Sequence, residues 1–402
     1  MTAVFDPFHP HYFDEDDLSA ELARVASVCS GCRICVSMCD SFPRLFELVD
    51  RSGGQEPPAL SALERNSVID GCFDCGLCVL GCPEAPGRSD AAVDMPRLMA
   101  RARHTRAMRT PKPLGVRVAA SARRVVGLAG PRRRTRFSTW MTGRSGGTGE
   151  PPGAASAVAT AMPPAGGTME SPQVAIFPTC HVEHHDPSIG RATVALLEHN
   201  SVGCGLPEGL VCCGAPQLAN GELDVFVELG RRNVRVLADA VRAGREVVVP
   251  LPACAAVLRR DYVSFVGGSD AELVAEHTHD ASAYLLALRS DAAVPPQGPA
   301  VADRSVTMHL SCRSRAVQED IPAVELLRHA GFDVTVVAGC ASPDPRAPDV
   351  LRRSTTASIS GSTPSGFLSE CPSAMGAIVA DSSMVGEHPL VLLARVHGVH
   401  VD

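Results

Sequence analysis

Aromatic residues are scarce in this sequence, 4% of 402 positions, with one tryptophan and three tyrosines. No apolar run approaches the roughly 18 residues that a membrane-spanning helix needs. With 45% hydrophobic residues, the chain is instead expected to build soluble cores. There is no Gly-rich dinucleotide fingerprint, no nucleotide-binding P-loop and no Ser/His/Asp pattern with supporting context, so organic cofactors are expected on another subunit. The opening Met1-Thr-Ala-Val-Phe-Asp-Pro-Phe-His-Pro lacks the basic region and apolar core of a secretory leader. A cytoplasmic location follows as the expectation, which argues against reading the cysteines as a disulfide framework. Acidic residues are absent between Asp94 and Glu150, where fourteen of the 37 Lys and Arg lie. Elsewhere 23 basic residues face 44 acidic ones. Such a split reads as a solvated linker helix or as an interaction segment. The latter would dock on an acidic protein or, peripherally, on the inner face of an anionic membrane. Nucleic acid is not expected, because the remainder is acidic and no reading module is present.

Cysteine is what the sequence has in quantity: sixteen residues in two sets of eight. The first set reads Cys29-Ser-Gly-Cys32-Arg-Ile-Cys35-Val-Ser-Met-Cys39, answered by Cys72-Phe-Asp-Cys75-Gly-Leu-Cys78-Val-Leu-Gly-Cys82-Pro83. Both runs carry the spacing C-x2-C-x2-C-x3-C, the bacterial ferredoxin signature for two [4Fe–4S] clusters, in which the fourth cysteine of each run ligates the other cluster. Cys29, Cys32, Cys35 and Cys82 are therefore expected to hold one cluster, and Cys72, Cys75, Cys78 and Cys39 the other. Soft thiolates suit iron–sulfur chemistry. Structural zinc and disulfides are the competing readings, but zinc sites usually pair two C-x2-C units across a longer gap. The acidic start Asp14-Glu-Asp-Asp opens a helix, and further helices are expected over 42–49 and 60–69. An α-helical, ferredoxin-like domain over 1–103 is the result.

Residues 104–171 read as a basic segment, with an amphipathic stretch over 116–128, followed by a Gly/Pro/Ala/Ser-rich linker. Beyond it the pattern duplicates. Val174-Ala-Ile-Phe-Pro-Thr-Cys180 is a strand ending on cysteine, followed by Leu210-Val-Cys212-Cys213-Gly214 and the strand 246–254 ending on Cys254. The second copy has strands ending on Cys312 and Cys340, and closes at Glu370-Cys371-Pro. In α/β layers such strand ends converge on one edge, where ligands bind. The fold class is thus α+β multidomain, with two duplicated α/β cysteine-rich half-domains over 172–295 and 296–402. Cys180, Cys212, Cys213 and Cys254 can ligate a further iron–sulfur cluster, bind zinc, or sit as buried thiols. Cys312, Cys340 and Cys371 are the weaker set, with no Cys-Cys pair. Cys204 lies outside the pattern. His181, His184 and His185 flank Cys180 as an exposed turn or as metal ligands, and His309 is a candidate to support Cys312 from behind.

On these motifs the chain resembles the C subunit of anaerobic glycerol-3-phosphate dehydrogenase and fusions of the heterodisulfide reductase C and B subunits. The resemblance is closest over 5–103, including Ser41-Phe-Pro-Arg-Leu-Phe-Glu-Leu-Val-Asp and Asp94-Met-Pro-Arg-Leu-Met. It continues in Pro250-Leu-Pro-Ala-Cys and Glu370-Cys-Pro-Ser-Ala. It implies an iron–sulfur subunit relaying electrons beside a flavoprotein dehydrogenase, often at the membrane surface. It also implies a non-cubane cluster on Cys180, Cys212, Cys213 and Cys254. The chain departs from the family where the closing C-x-x-C reads Cys254-Ala-Ala-Val257, where Arg313 stands for a histidine, and where Asp40 stands for a proline. A thiol–disulfide reductase centred on Cys212 and Cys213, and a scaffold with metal-free repeats, are the alternative functions.

Overall fold

The computed structural model describes residues 5–36, 41–51, 61–72, 75–109, 136–145, 173–289, 304–312, 321–339, 355–359, 366–382 and 385–399. Cys39, Cys340, the 116–128 stretch and most of the expected linker lie outside them. The described chain is α+β, with two small parallel sheets among many helices.

Near the N-terminus, Asp14 caps the helix Glu15–Cys32 by accepting from the amides of Asp16 and Asp17, and three acids occupy its first turn. The helix carries Cys29 and Cys32 on its last turn and ends where Arg33 turns left-handed, at φ 55°. Ser41–Arg51 follows with Phe42, Leu45, Phe46, Leu48 and Val49 buried. Ala62–Asp70 is opened by a capping box between Ser61 and Glu64. The helix Met95–Arg109 closes this region and runs past residue 103. Its neighbours Cys35 and Cys72 lie in the same core as Leu98 and Met99.

The first sheet joins β1 (Val174–Ile176), β2 (Cys204–Gly205), β3 (Glu246–Val249) and β4 (Thr278–Asp280) in the order β2-β1-β3-β4, all parallel. The second joins β5 (Ser305–Leu310), β6 (Asp333–Ala338), β7 (Gly366–Ser369) and β8 (Gly386–Glu387) in the order β6-β5-β7-β8, again all parallel. Strand alternation sets which core each residue enters. Val248 faces a core shared with Val306, Met308 and Leu310 of β5, whereas Val247 and Val249 face the opposite side. That opposite side also takes in Tyr12 and Ala100 from the N-terminal region. The first sheet is therefore covered by the second half of the chain on one face and meets the N-terminal region on the other. The helix Phe137–Ser145, within the basic segment, packs Phe137 and Met141 into the core shared by the two sheets.

Candidate metal centre

The first ferredoxin-type set is brought together by the helix end and by the second loop. Cys29, Cys32, Cys35 and Cys82 line one pocket, walled by Val28, Phe42, Phe46 and Val93 and open to solvent. Burial, and after it the neighbouring thiols of Cys82, Cys35 and Cys32, push the Cys29 thiol up to about 12, while Arg24 opposes them. Cys35 is raised by burial and then by the same two neighbours, Cys82 and Cys32. A thiol that resists ionising alone is the expected state of a ligand whose charge is to be compensated by iron. The soft donors and apolar walls fit an iron–sulfur cluster. In the other set, Cys72 is buried and Cys75 and Cys78 are partly buried. The Cys35 thiol reaches the carbonyl of Cys78 at 3.8 Å, so the two loops interleave.

Three arginines frame these loops. Arg103 Nη1 donates to the Cys72 carbonyl at 2.8 Å from a buried position. Arg88 Nη1 donates to the carbonyls of Leu80 at 2.8 Å and Cys82 at 3.0 Å. Arg24 donates to Ala91 at 2.7 Å. Reading the sequence for charge left the basic stretch after residue 103 as a solvated linker helix or an interaction segment and did not find these inward roles. Arg101, Arg106 and Arg109 likewise pair within the fold, with Asp17, Asp70 and Glu15.

The second candidate centre lies at the C-terminal edge of the first sheet. With strands ordered β2-β1-β3-β4, the chain leaves β1 toward one side and β3 toward the other, which makes the gap between them the topological switch point. Cys180 begins the helix Cys180–His184 after β1, and Cys254 sits in the helix Pro252–Ala256 after β3. The expected strand over 246–254 thus ends at Val249, because Pro252 suits a first helical turn. Thr179, just before Cys180, adopts a positive φ of 37° although it is not glycine, which marks a strained turn.

Cys212 and Cys213 reach the same edge from the loop before Gly214, so the four cysteines expected together are together. Cys213 and Cys254 are buried, with their sulfurs 3.3 Å apart. Cys213 also contacts Cys212, and Cys212 contacts Cys180, making a continuous row of thiols. Cys212 is the acceptor of the row. Hydrogen bonds from the Cys180 and Cys213 thiols, joined by the Gly214 amide, hold its pKa well below the usual thiol range. Its donor partners are shifted up, Cys180 by the bond to Cys212 and then by burial, Cys213 by its bonds to Cys212 and Cys254. Among the described residues, no three His, Cys, Asp or Glu side chains converge as the ligands of a single metal ion. The donor set is all sulfur and partly buried, which fits a thiolate-bound cluster.

Asn233 and Tyr262 hold this loop from beneath, and sequence reasoning missed both. Asn233 accepts from the Val211 amide at 2.8 Å and donates to the Cys212 carbonyl at 3.1 Å and to the Tyr262 hydroxyl at 2.9 Å. Tyr262 donates to the Cys213 carbonyl at 3.0 Å. The available signal was an asparagine on the buried face of the otherwise apolar-faced helix Leu223–Arg242.

Of the histidines, His181 and His185 stack at 5.5 Å, and His184 lies close enough to Cys212 for their charges to interact. Cys204 is on β2, away from the row, with burial raising its thiol to about 12. In the second half, Cys312 follows β5 and Cys371 follows β7, the strands on either side of the second switch point. His309 Nδ1 lies 2.9 Å from Ser369 Oγ, and that hydroxyl accepts from the Cys371 amide at 3.0 Å.

Residues 174–259 match the family model of the CCG cysteine-rich domain. The chain is 32% identical over 91 residues to the B subunit of the CoM/CoB fumarate reductase of Methanothermobacter marburgensis, covering 22% of this chain and 18% of the relative. It is 27% identical over 173 residues to lactate utilization protein A of Bacillus velezensis, covering 42% and 69%. To the C subunit of the anaerobic glycerol-3-phosphate dehydrogenase of Escherichia coli it is 27% identical over 167 residues, 41% of each chain. The likeness thus spans under a fifth of the fumarate reductase relative and less than half of the glycerol-3-phosphate dehydrogenase one.

Proposed function

We propose that this chain is an iron–sulfur electron-transfer subunit of an oxidoreductase, passing electrons between a redox partner, a flavoprotein dehydrogenase, and an acceptor. The cavity lined by Cys29, Cys32, Cys35 and Cys82 carries the reading, because those four of the eight ferredoxin-type cysteines are the ones assigned to a single cluster by their spacing. On this reading Cys72, Cys75, Cys78 and Cys39 hold a second [4Fe–4S] cluster, and Cys180, Cys212, Cys213 and Cys254 hold a further, non-cubane one. When bound, such clusters supply one-electron chemistry. The chain's own residues wall one side of the first site with Phe42, Phe46 and Val93 and fix the cysteine loops through Arg24, Arg88 and Arg103. They also hold the Cys212-Cys213 backbone through Asn233 and Tyr262.

The matched relatives are named as oxidoreductase subunits or as a substrate-utilization protein, which supports a partnered role. The identical strand order of the two sheets supports a duplication, with Cys312 and Cys371 following the second half's equivalent strands. Partner docking is assigned to the basic stretch 104–141.

Metal analysis of protein purified without oxygen tests this. The expected content is about twelve iron per chain, and about eight for Cys213→Ser. Fewer than about four iron with stoichiometric zinc would contradict it.

One observation favours a second reading, a thiol–disulfide reductase. Cys212 is held toward its thiolate, the nucleophilic form, beside an exposed Cys180. Disulfide reduction retained by iron-free protein and lost in Cys212→Ser would establish it over the relay.

A further inference from the structure

The helix Met95–Arg109 belongs to two cores, and each contains candidate ligands. Leu98, Met99 and Ala102 pack with Cys35 and Cys72, while Ala100 packs with Cys213 and Cys254. Between those two ends runs an unbroken series of contacts. Arg103 donates to the Cys72 carbonyl at 2.8 Å. The next residue, His104, is fully buried and bonded to the Tyr12 hydroxyl at 2.8 Å. Its ring stands edge-on to Phe265 with centroids 5.5 Å apart. Phe265 is edge-on to Phe226 at 6.1 Å, and Phe226 lies 5.7 Å from Tyr262. The Tyr262 hydroxyl then bonds the Cys213 carbonyl at 3.0 Å. In a chain with only sixteen Phe, Trp and Tyr residues, four of them gather here with a histidine.

We propose that Arg103, His104, Phe265, Phe226 and Tyr262 form the electron path between the Cys72 loop and the Cys212-Cys213 site within one chain. The inference rests on the iron–sulfur reading of both ends and names the route between them. Packing alone would be met by any apolar side chains of the right volume. This series instead starts and finishes on hydrogen bonds to the backbones of two candidate ligands, and electrons couple better through bonded and touching atoms than across gaps. With clusters bound at both ends, each event would pass one electron, supplied by the redox partner, from the Cys72 end to an oxidised cluster at the Cys-Cys-Gly site. No bond is made or broken and no proton moves, and the rings are the coupling medium without being oxidised themselves.

The test uses full-length, anaerobically purified protein, photoreduced by a flash and followed by freeze-quench EPR. Phe265→Leu and Phe226→Leu keep an apolar side chain at each position, and two variants guard against one failing to fold. The expected result is unchanged iron content and unchanged EPR spectra at both ends, with arrival of the electron at the repeat slowed severalfold. Both signals present with unchanged arrival in both variants would overturn the path alone. If the unmodified protein has no repeat signal at all, the cluster reading of the repeat fails, and the path with it.

Discussion

Gly214 carries the tightest local constraint at the Cys-Cys-Gly turn. Its φ is 88°, and a Cβ there would lie 2.7 Å from the ring of Phe226. Gly214→Ala therefore meets both backbone strain and a clash, and is expected to destabilise the protein by about 1–3 kcal/mol. Denaturant unfolding measures this, and an unchanged midpoint would contradict it. His388 sets a different expectation. Burial drives its pKa from 6.5 to about 3, with Asp186 opposing and His181 reinforcing the shift. The unfolded chain takes up a proton near 6.5, whereas the folded chain resists until about 3. Stability is thus full above the unfolded pKa and declines as pH falls from about 6.5 toward about 3. His388→Asn keeps an acceptor for the Leu390 amide and is expected to flatten this part of the acid limb in urea midpoints measured across pH. Equal slopes in both proteins would rule that out. At this scale the cysteines were legible because ligand spacing is a local property of the chain. Asn233, Tyr262 and the inward arginines were not, because their partners lie on elements distant in sequence.

At the scale of elements, Gly221 decides how closely the N-terminal region meets the first sheet's layer. Its φ is 76°, and a Cβ there would come within 2.9 Å of the Arg103 carbonyl, on the helix Met95–Arg109. Gly221→Ala should force the two apart at a cost of about 1–3 kcal/mol. It should also open the joint to limited proteolysis, and unchanged protease resistance would argue that the contact is not needed. The apolar cores of β1, β3 and β5 were readable from the chain. The two-residue strands β2 and β8 were not, being too short to show any periodicity. The helix Phe137–Ser145 was hidden by its setting among arginines, although Phe137 is fully buried. Its place is fixed by Gly190, where a Cβ would lie 2.7 Å from the Phe137 ring.

For the whole molecule, the arrangement is a succession of cores joined at shared elements. One surrounds Cys35 and Cys72, the next holds Cys213 and Cys254, and the third binds the two sheets together. Both candidate centres therefore share the helix Met95–Arg109, which has residues in the core of each. Among the described residues, no helix is long and apolar enough to cross a membrane. The central claim is that this chain carries electrons between iron–sulfur centres at its two cysteine sites. An EPR-monitored reductive titration of the anaerobically purified chain tests it most directly. The account predicts signals from two cubane clusters near the N-terminus and a further signal that disappears in Cys213→Ser. A chain that stays EPR-silent at every potential and contains zinc in place of iron would contradict it.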